Sequence, residues 1–484
     1  EQDESTNETN RPSENDISKS DVDLLPAKET GEDKWSHCSG RGLAISRAKK
    51  EARDEVEIKS FLMRWDRCPD NCRLVILESI PEDLVYNNST VENLPVFVSW
   101  LDLIRNAKKS IDIASSYWTL RGSDVWHDPS DWQGEQIFSE LLKAGTERNI
   151  KIRIAQNQPA PSQPNLDTEE LQAKKAAEVR SLDFQKLMGA GILHTKMWLV
   201  DNLHIYLGSA NLDWRSLTQV KELGVTIHNC SCLAEDMSKI FQIYWDLGKP
   251  GAEIPPHWPP EYSTRYNNTS PLHIKFNDSN AYTYLASSPP PFCAQGRTSD
   301  IDAILDVINS ADKYIYVAVM DYFPATIYTT RPIFWPVIDD ALKKAAIERQ
   351  VEVKLLASHW NHTDPAMMYY LKSLAVLNNS YSTINIEVKM FVVPSFTKEE
   401  MLIPFARVNH NKYMVTDSVA YIGTSNWSGD YFINTGGIGF VINETVPDFP
   451  NSTQFIREDI QKIFLRDWNS EYAQPIENYL KKHH

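Results

Sequence analysis

The stretch from His194 to Asn211, HTKMWLVDNLHIYLGSAN, decides the fold because it recurs later in the chain. The second copy runs from His410 to Asn426 and reads HNKYMVTDSVAYIGTSN. Both copies place His, Lys and Asp at positions i, i+2 and i+7, and both end in Gly, a hydroxyl residue, a spacer and Asn. Two such matches in one chain indicate an internal duplication in which each half carries the same functional surface.

The spacing within each copy predicts how it folds. Residues 192–200 are rich in apolar side chains and predict a strand, on which His194 and Lys196 point to the same face. The Asp-Asn pair at 201–202 predicts a turn and a returning strand, which brings Asn211 back beside that face. A histidine, a cation and an amide donor on one surface suit a phosphate group.

Two such surfaces facing each other would surround one phosphorus atom with two histidines, two lysines and two asparagines. This set predicts displacement through a phosphohistidine, in which one histidine attacks phosphorus and the other protonates the leaving oxygen. The lysines supply the positive charge that a metal would otherwise bring, and the sequence contains no His-Glu-x-x-His motif or carboxylate cluster. We therefore expect that the reaction needs neither a metal nor a cofactor.

Further stretches extend the two motifs. They are Tyr117–Leu120 (YWTL), Gly208–Gly224 (GSANLDWRSLTQVKELG), Arg407–Thr416 (RVNHNKYMVT) and Tyr421–Ser428 (YIGTSNWS). With the twin motifs, they resemble the phospholipase D superfamily, and within it the third and fourth members of the animal phospholipase D family. The resemblance covers nearly the whole chain outside its N-terminal part. It implies a 5′→3′ exonuclease that acts on single-stranded DNA and RNA.

The resemblance also implies roles for individual residues. Family precedent makes His194 the nucleophile and His410 the acid. An acid downstream of the Gly-Ser motif can orient a catalytic histidine, and Glu222 stands there, whereas Asn434 occupies the region where we look for its match in the second half. The groups expected to bind the non-bridging phosphate oxygens are Lys196, Lys412, Asn211 and Asn426.

Residues next to the motifs are expected to support them or to contact substrate. Asp201 and Asp417 should organise the turns, and Ser209 and Ser425 should support the loop backbone. Aromatic side chains near the cleft wall could stack bases of a single strand, worth about 1–3 kcal/mol per base, with core packing as the alternative. These aromatic candidates are Tyr117, Trp118, Trp214, Trp427, Tyr322 and Phe323.

Charge and composition limit the kinds of partner. The 484 residues carry a formal net charge of −16, which excludes a broad basic footprint and favours local binding in a cleft. There is no apolar run of about 18 residues that could span a membrane. The resembling family has a signal-anchor helix before its luminal domain, so we expect the full-length protein to be membrane-anchored.

The sequons point to the secretory route, and the resemblance points to the endolysosomal lumen or secretion. So many sequons together predict a glycosylated protein. Asn426 also begins a sequon, but we assign it to the active site because a glycan would block the reaction. The glycosylation candidates are Asn87, Asn88, Asn229, Asn267, Asn268, Asn277, Asn361, Asn378, Asn443 and Asn451, with Asn7 in the N-terminal part.

Six cysteines allow 15 pairings, and spacing alone does not choose among them. The pairs Cys68/Cys72 and Cys230/Cys232 could hold zinc, but an oxidising compartment favours disulfides. The resemblance implies the nested bridges Cys68–Cys232 and Cys72–Cys230. Neither Cys38 nor Cys293 has an assigned partner.

Alternating helices and strands predict an α/β fold, built from two pseudo-twofold halves with the active site at their seam. We expect a disordered luminal stem at 1–57, a first half at 58–250, a linker at 251–272 and a second half at 273–484. Helices are predicted at 96–107, 137–147, 169–177, 237–245, 301–310, 337–349, 365–377 and 456–468. Strands are predicted at 74–78, 110–116, 151–156, 314–320, 351–357 and 386–393.

Two other functions compete with the exonuclease. Hydrolysis or headgroup exchange on a lysosomal glycerophospholipid would use the same phosphohistidine, with a phospholipid in place of single-stranded nucleic acid. A catalytically dead binding protein is disfavoured because both His-Lys-Asp sets are intact. A homodimer is a further expectation that the sequence alone does not test.

Overall fold

Two mixed sheets divide the chain, one in each half. The computed structural model describes residues 68–87, 89–161, 163–277, 279–444 and 455–480. The predicted stem and Cys38 lie outside this part, as do the sequons at Asn88 and Asn451. The described residues from 68 onward belong to one compact unit.

The first half contains ten strands and six helices in its described residues. The strands are β1 (Arg73–Ser79), β2 (Leu94–Pro95), β3 (Ser110–Ser115), β4 (Trp118–Thr119), β5 (Lys151–Asn157), β6 (Glu178–Leu182), β7 (Met197–Val200), β8 (His204–Gly208), β9 (Leu212–Asp213) and β10 (Glu222–His228). The helices are α1 (Val96–Asn106), α2 (Trp132–Thr146), α3 (Leu166–Ala173), α4 (Phe184–Met188), α5 (Arg215–Thr218) and α6 (Ser231–Leu247).

The second half contains nine strands and seven helices in the residues that the structure describes. The strands are β11 (Leu272–Phe276), β12 (Ser279–Ser288), β13 (Tyr314–Val319), β14 (Glu352–Ser358), β15 (Ile386–Phe391), β16 (Lys412–Thr416), β17 (Val419–Gly423), β18 (Gly437–Asn443) and β19 (Ala473–Pro475). The helices are α7 (Asp300–Ser310), α8 (Val337–Arg349), α9 (Pro365–Ala375), α10 (Lys398–Leu402), α11 (Gly429–Ile433), α12 (Ile456–Trp468) and α13 (Glu477–Leu480).

Strand order confirms the predicted duplication. The first sheet runs β2-β1-β10-β8-β7-β3-β5-β6, and the second runs β11-β12-β18-β17-β16-β13-β14-β15-β19. The six strands from β10 to β6 repeat the six from β18 to β15, with the same parallel and antiparallel pairings. Each motif therefore supplies two adjacent antiparallel strands, β7/β8 or β16/β17, at the centre of its sheet.

One continuous apolar core joins the two halves. Buried side chains of both sheets, such as Leu199 and Phe440, belong to it together with the helices α6 and α12. Helix α6 contributes Met237, Ile240 and Phe241, which recur at helical spacing and so lie on one buried face. Because neither sheet covers itself completely, each half needs the other to bury its apolar side chains.

Some predicted boundaries were wrong for a physical reason. The motif strand begins at Met197 and not at residue 192, because the residues before it pair across the seam with the other half. Helix α3 ends at Ala173, where the prediction ran to 177, because Lys175 adopts a left-handed conformation (φ 60°) and the chain turns into β6.

The nested disulfides are confirmed. Cys68 bonds to Cys232 and Cys72 bonds to Cys230, with Cα–Cα distances of 5.8 and 4.8 Å. These bridges hold the start of β1 against the start of α6, and they leave no room for the zinc alternative at these four residues. Cys293 is a free thiol, and burial raises its pKa to about 11, so it is poorly reactive.

The predicted linker and most sequons lie at the surface. Between α6 and β11, the regular structure is one short turn of 3₁₀ helix at Pro260–Tyr262. The exposed sequon asparagines are Asn87, Asn229, Asn268, Asn277 and Asn361, and those half-buried are Asn267, Asn378 and Asn443. Among the helices in the described part of the chain, none combines the length and apolarity needed to cross a membrane.

Candidate active site

Two short backbone contacts across the seam bring the motifs together. The His194 N–H donates to the Gly436 carbonyl at 2.8 Å, and the His410 N–H donates to the Lys221 carbonyl at 2.8 Å. The residues just before each histidine, Leu193 and Asn409, form bridges to the same two segments of the opposite half. The contacts are related by the pseudo-twofold, so each histidine is positioned by the half that does not contain it.

His194 is held by a backbone carbonyl. Its Nδ1 lies 2.9 Å from the carbonyl oxygen of Thr424, and its ring meets the Tyr431 ring edge-on at 5.0 Å. Because a carbonyl only accepts, Nδ1 carries the hydrogen and the neutral ring keeps its lone pair on Nε2. Burial and the charges of Lys196 and Lys412 lower the pKa of His194 well below its usual range. The neutral ring is therefore a ready nucleophile.

His410 is held by a carboxylate. Its Nδ1 lies 2.9 and 3.0 Å from the two Glu222 oxygens, which are fully buried. Burial and the nearby Lys412 and Lys196 lower the pKa of His410, whereas Glu222 favours its charged form. Burial also raises the pKa of Glu222 itself to about 7. The two histidines thus differ in one respect: His410 alone has an acid on its far nitrogen.

The two lysines are equivalent. The Lys196 ammonium donates to the His194 carbonyl at 2.7 Å, and the Lys412 ammonium donates to the His410 carbonyl at 2.8 Å. Burial lowers the pKa of Lys196 well below its usual range and that of Lys412 to about 7. Burial lowers the pKa of both lysines and of both histidines, so an anion entering the site would raise these pKa values and would be held by the groups that are protonated.

The two asparagines have different neighbours. Asn211 donates to the Tyr117 hydroxyl at 3.2 Å, and Asn426 donates to the Asp321 carboxylate at 2.9 Å and to the Tyr431 hydroxyl at 3.2 Å. Tyr117 and Asp321 occupy matching positions after β3 and β13. In the described part of the chain, the amide oxygen of each asparagine is buried without a hydrogen-bond partner, so it is free to accept a hydrogen bond, whereas the amide nitrogen is the group that would donate to a phosphate oxygen.

Asp321 was not predicted from the sequence as a residue of the site. It lies beside Lys412, and burial raises its pKa to about 6. A carboxylate after the strand β13 carries no motif of its own, so its position emerges only when β13 and β16 are paired.

The hydroxyl residues require one correction. Ser209 accepts from the Leu223 N–H at 3.0 Å, and Thr424 accepts in the same way from the Ile438 N–H at 3.0 Å. Thr424, the first residue after the motif glycine, therefore supports the loop backbone as Ser209 does. Ser425 instead lies one position later, beside the buried Asp300.

The match to Glu222 also differs from the prediction. Glu222 begins β10, and the residue that begins β18 is Gly437, not Asn434. A side chain at Gly437 would meet the Ser425 and Ser288 hydroxyls at 2.4 and 2.7 Å from its Cβ. The second half therefore has no space for an acid at this position.

The two motif aspartates clamp the neighbouring strand more than they organise their own turn. Asp201 accepts from the backbone N–H groups of Lys108, Lys109 and Ser110 at 2.6–2.9 Å. Asp417 accepts from the corresponding N–H groups of Asp312 and Lys313 at 3.0 Å. Each aspartate fixes the start of β3 or β13, and neither contacts the lysines or histidines of the site.

The stacking prediction was wrong for five of the six aromatics. Tyr117 is 36% exposed, whereas the other rings are buried in the core and have no face free for a base. Each of these rings packs in an apolar cluster of buried side chains. The buried aromatics are Trp118, Trp214, Trp427, Tyr322 and Phe323.

A buried ionic cluster locks the seam behind the site. Lys221, next to Glu222, lies 3.2 Å from Glu78 and 2.9 Å from Asp467. Arg466 completes it with contacts of 2.6 Å to Glu78 and 2.8 Å to Asp467. Since Lys221 and Glu78 belong to the first half and the other two belong to α12, the cluster fixes the relative position of the halves.

This duplicated fold, with a His/Lys/Asn set from each half at one seam, defines a phospholipase D-like protein. The profile of the family described as "PLD3/4, PLD-like domain" matches residues 87–396, and the chain belongs to that family. The 5'-3' exonuclease PLD3 of Xenopus laevis is 52% identical over 84% of this chain and 82% of its own length. The human 5'-3' exonuclease PLD3 is 47% identical over 85% of this chain and 82% of its own length.

A related protein and a solved structure extend the comparison. The mouse 5'-3' exonuclease PLD4 is 44% identical over 84% of this chain and 80% of its own. The crystal structure of phosphatidylserine synthase from Haemophilus influenzae Rd KW20 superposes with a TM-score of 0.52, at 13% identity, over 88% of this chain and 97% of that chain. The second likeness concerns the fold alone.

Proposed function

We propose that this protein is a phosphodiesterase that degrades single-stranded DNA and RNA as a 5′→3′ exonuclease through a covalent phosphohistidine. The observation that carries the proposal is the seam at which His194 and His410 meet with matched lysines and asparagines. Relatives named 5'-3' exonuclease PLD3 or PLD4, at 44–52% identity, support the choice of nucleic acid.

In the first step, the neutral Nε2 of His194 attacks phosphorus, and the bond from phosphorus to the leaving ester oxygen breaks. His410, protonated and paired with Glu222, gives its Nε2 proton to that oxygen. The carboxylate stabilises the protonated ring of His410, as a proton donor requires, and without a carboxylate the ring of His194 stays neutral, as a nucleophile requires.

In the second step, His410 removes a proton from a water molecule, which attacks the same phosphorus. The bond to His194 breaks, and a phosphomonoester leaves. Lys196 and Lys412 stabilise the charge on the non-bridging oxygens in both steps, because they are fixed in place before the substrate arrives.

The test is one incubation of the protein with a labelled 5′-hydroxyl oligonucleotide and, in parallel, with phosphatidylcholine vesicles. We expect stepwise shortening from the 5′ end, no choline release, and no loss of activity in EDTA. His194→Ala and His410→Ala should each abolish turnover, and a retained cooperative thermal unfolding transition would show that the variants are folded. Choline release without oligonucleotide cleavage would replace the nucleic-acid proposal with the lipid one.

We also propose that the protein works in the endolysosomal lumen or after secretion. Two disulfides and the exposed sequon asparagines support an oxidising, secretory route. Digestion of the cellular protein with a glycosidase that removes N-glycans should lower its apparent mass, and an unchanged mass would contradict this route.

A further inference from the structure

Three aromatic side chains form a cluster at the edge where the parallel strands β13, β14 and β15 end. The His362 ring stacks on the Phe405 ring, with centroids 4.5 Å apart and planes at 19°. Trp360 contacts both, at 4.8 Å from His362 and 6.4 Å from Phe405. His362 is exposed and Phe405 is 57% exposed, so this ring cluster presents flat aromatic surface to solvent.

The ring cluster lies close to His410. Ser358, the last residue of β14, accepts from the Asn409 N–H at 3.2 Å, and Trp360 follows two residues later. Phe405 precedes His410 by five residues, which an extended chain spans in at most about 18 Å. Ligands of open α/β sheets bind beyond the carboxyl ends of the strands, which is where the cluster lies.

The loop that carries Phe405 is fixed on both sides. The Pro404 carbonyl accepts from the Arg215 guanidinium at 2.5 Å, and Ile403 and Ala406 pack on the buried Trp214. Phe405 itself has a left-handed backbone (φ 54°), which is unfavourable for a bulky residue. The Phe405 ring is therefore held outward by its anchored neighbours. Trp214, on which they pack, belongs to the facing half and follows Asn211 by three residues.

We propose that the ring cluster is a nucleobase-stacking site that binds a base of the single strand entering the cleft. The proposal rests on the exonuclease function above. A protein with a net charge of −16 gains little from long-range attraction to a polyanion, so binding needs a contribution that does not depend on charge. Aromatic stacking supplies it for every base, since every base has a flat face.

The experiment compares two oligonucleotides, one with normal bases and one with abasic sugars in the first nucleotides from the 5′ end. Phe405→Ala and His362→Ala should raise KM for the normal strand about 5- to 150-fold with a smaller change in kcat. Neither should change KM for the abasic strand. Phe405→Trp should keep the wild-type KM, and the matched control is Tyr381→Ala, a 74% exposed ring outside the cluster.

Each other outcome overturns the stacking site. Equal losses on both strands would mean that Phe405 only supports its loop, and an unchanged KM on the normal strand would mean that no base binds there. If the KM effect disappears in an Asn361→Gln background, the rings serve a glycan at that sequon. Loss of binding to phosphatidylserine vesicles, with KM unchanged, would assign the rings to a membrane. Wild-type protein that cleaves neither strand would refute the exonuclease itself.

Discussion

One carboxylate distinguishes two otherwise matched histidines. Glu222 lies 2.9 Å from the Nδ1 of His410, whereas the Nδ1 of His194 meets only the Thr424 carbonyl. A negative charge on the far nitrogen stabilises the imidazolium, so the proton resides more readily on His410. The proposed division of labour between nucleophile and acid rests on this difference and not on the motifs, which are alike.

We predict that Glu222→Gln shifts the alkaline limb of the kcat/KM profile to lower pH. The carboxylate favours the charged form of His410, so its removal lowers the pKa of that ring, and the acid is lost earlier as pH rises. The plateau should also fall by about 10²–10⁴-fold, the range for loss of general acid catalysis. A pH series from 4 to 9 on a labelled oligonucleotide measures both. An unmoved limb would show that Glu222 does not act through His410.

Asp321 and Tyr117 form a second asymmetric pair, each beside one motif asparagine. We predict that Asp321→Asn raises KM near neutral pH and that lower pH restores it. Asp321 favours the charged form of Lys412, so its loss lowers the pKa of Lys412 below about 7 and fewer lysines are protonated. Tyr117→Phe is the matched control, because it removes a hydrogen bond without a charge. KM should be measured at pH 5 and 7.5, and an equal rise at both would contradict the charge argument.

At the scale of the elements, the Asp201 carboxylate accepts hydrogen bonds from the backbone at the start of strand β3. We predict that Asp201→Ala lowers the free energy of unfolding by about 1–3 kcal/mol, because three backbone N–H groups lose their acceptor. Asp417→Ala should cost less, since two N–H groups are involved. Urea unfolding provides the comparison, with the exposed Glu235→Ala as the control. Equal costs for Asp201 and Glu235 would mean that the clamp is not stabilising.

Much of the element order could be predicted from sequence. Helices α8 and α12 have their predicted bounds, because the spacing of apolar residues that predicts a helix lies within the helix's own sequence. Strands β10 and β18 were missed: β18 reads GIGFVIN, whose glycines lower strand propensity, and it forms through pairing with β12 and β17. Such strands depend on distant partners that no local pattern shows.

The site was predicted unevenly for a similar reason. The spacing of each motif predicted which His, Lys and Asn residues would share a surface, and Glu222 stood at a suggestive distance. Which histidine it would contact could not be predicted, because the contact crosses from one half to the other. Trp214 and Trp427 lie beside the motif asparagines in sequence, yet both point into the core. Proximity along the chain does not give the direction of a side chain.

At the scale of the whole molecule, the disulfides tie the entry of the first sheet to the helix that follows it. We predict that reduction of both disulfides lowers the free energy of unfolding by about 2–4 kcal/mol. Most of this stabilisation comes from whichever bridge closes the long loop first. The bonded cysteines are 164 and 158 residues apart, so once one bridge is formed the second removes little further chain entropy. A Cys72→Ala/Cys230→Ala variant should therefore lose less than half of the effect of reduction. If this variant lost as much stability as the fully reduced protein, the remaining bridge Cys68–Cys232 would contribute nothing, and the chain-entropy argument would be wrong.

The charges of the whole molecule predict an acidic, bell-shaped pH dependence of kcat/KM. Burial and the lysines lower the pKa of His194, so the nucleophile stays neutral well below the pH at which a free histidine is protonated. The alkaline limb falls as the pair of His410 and Glu222 releases its proton and as Lys412, whose pKa is about 7, loses its charge. The net charge of −16 also becomes less negative as carboxylates protonate, which weakens repulsion of a polyanion.

The two contributions can be separated by ionic strength. Added salt screens the charges of the protein surface but has little effect on buried groups. It should therefore reduce the difference in KM between acidic and neutral pH. The pH values at which kcat falls should stay the same. The measurement is kcat and KM between pH 4 and 9 at two salt concentrations. A monotonic rise of kcat/KM to pH 9 would mean that the proton donor is not a histidine, and the assignment of His410 as the acid would have to be withdrawn.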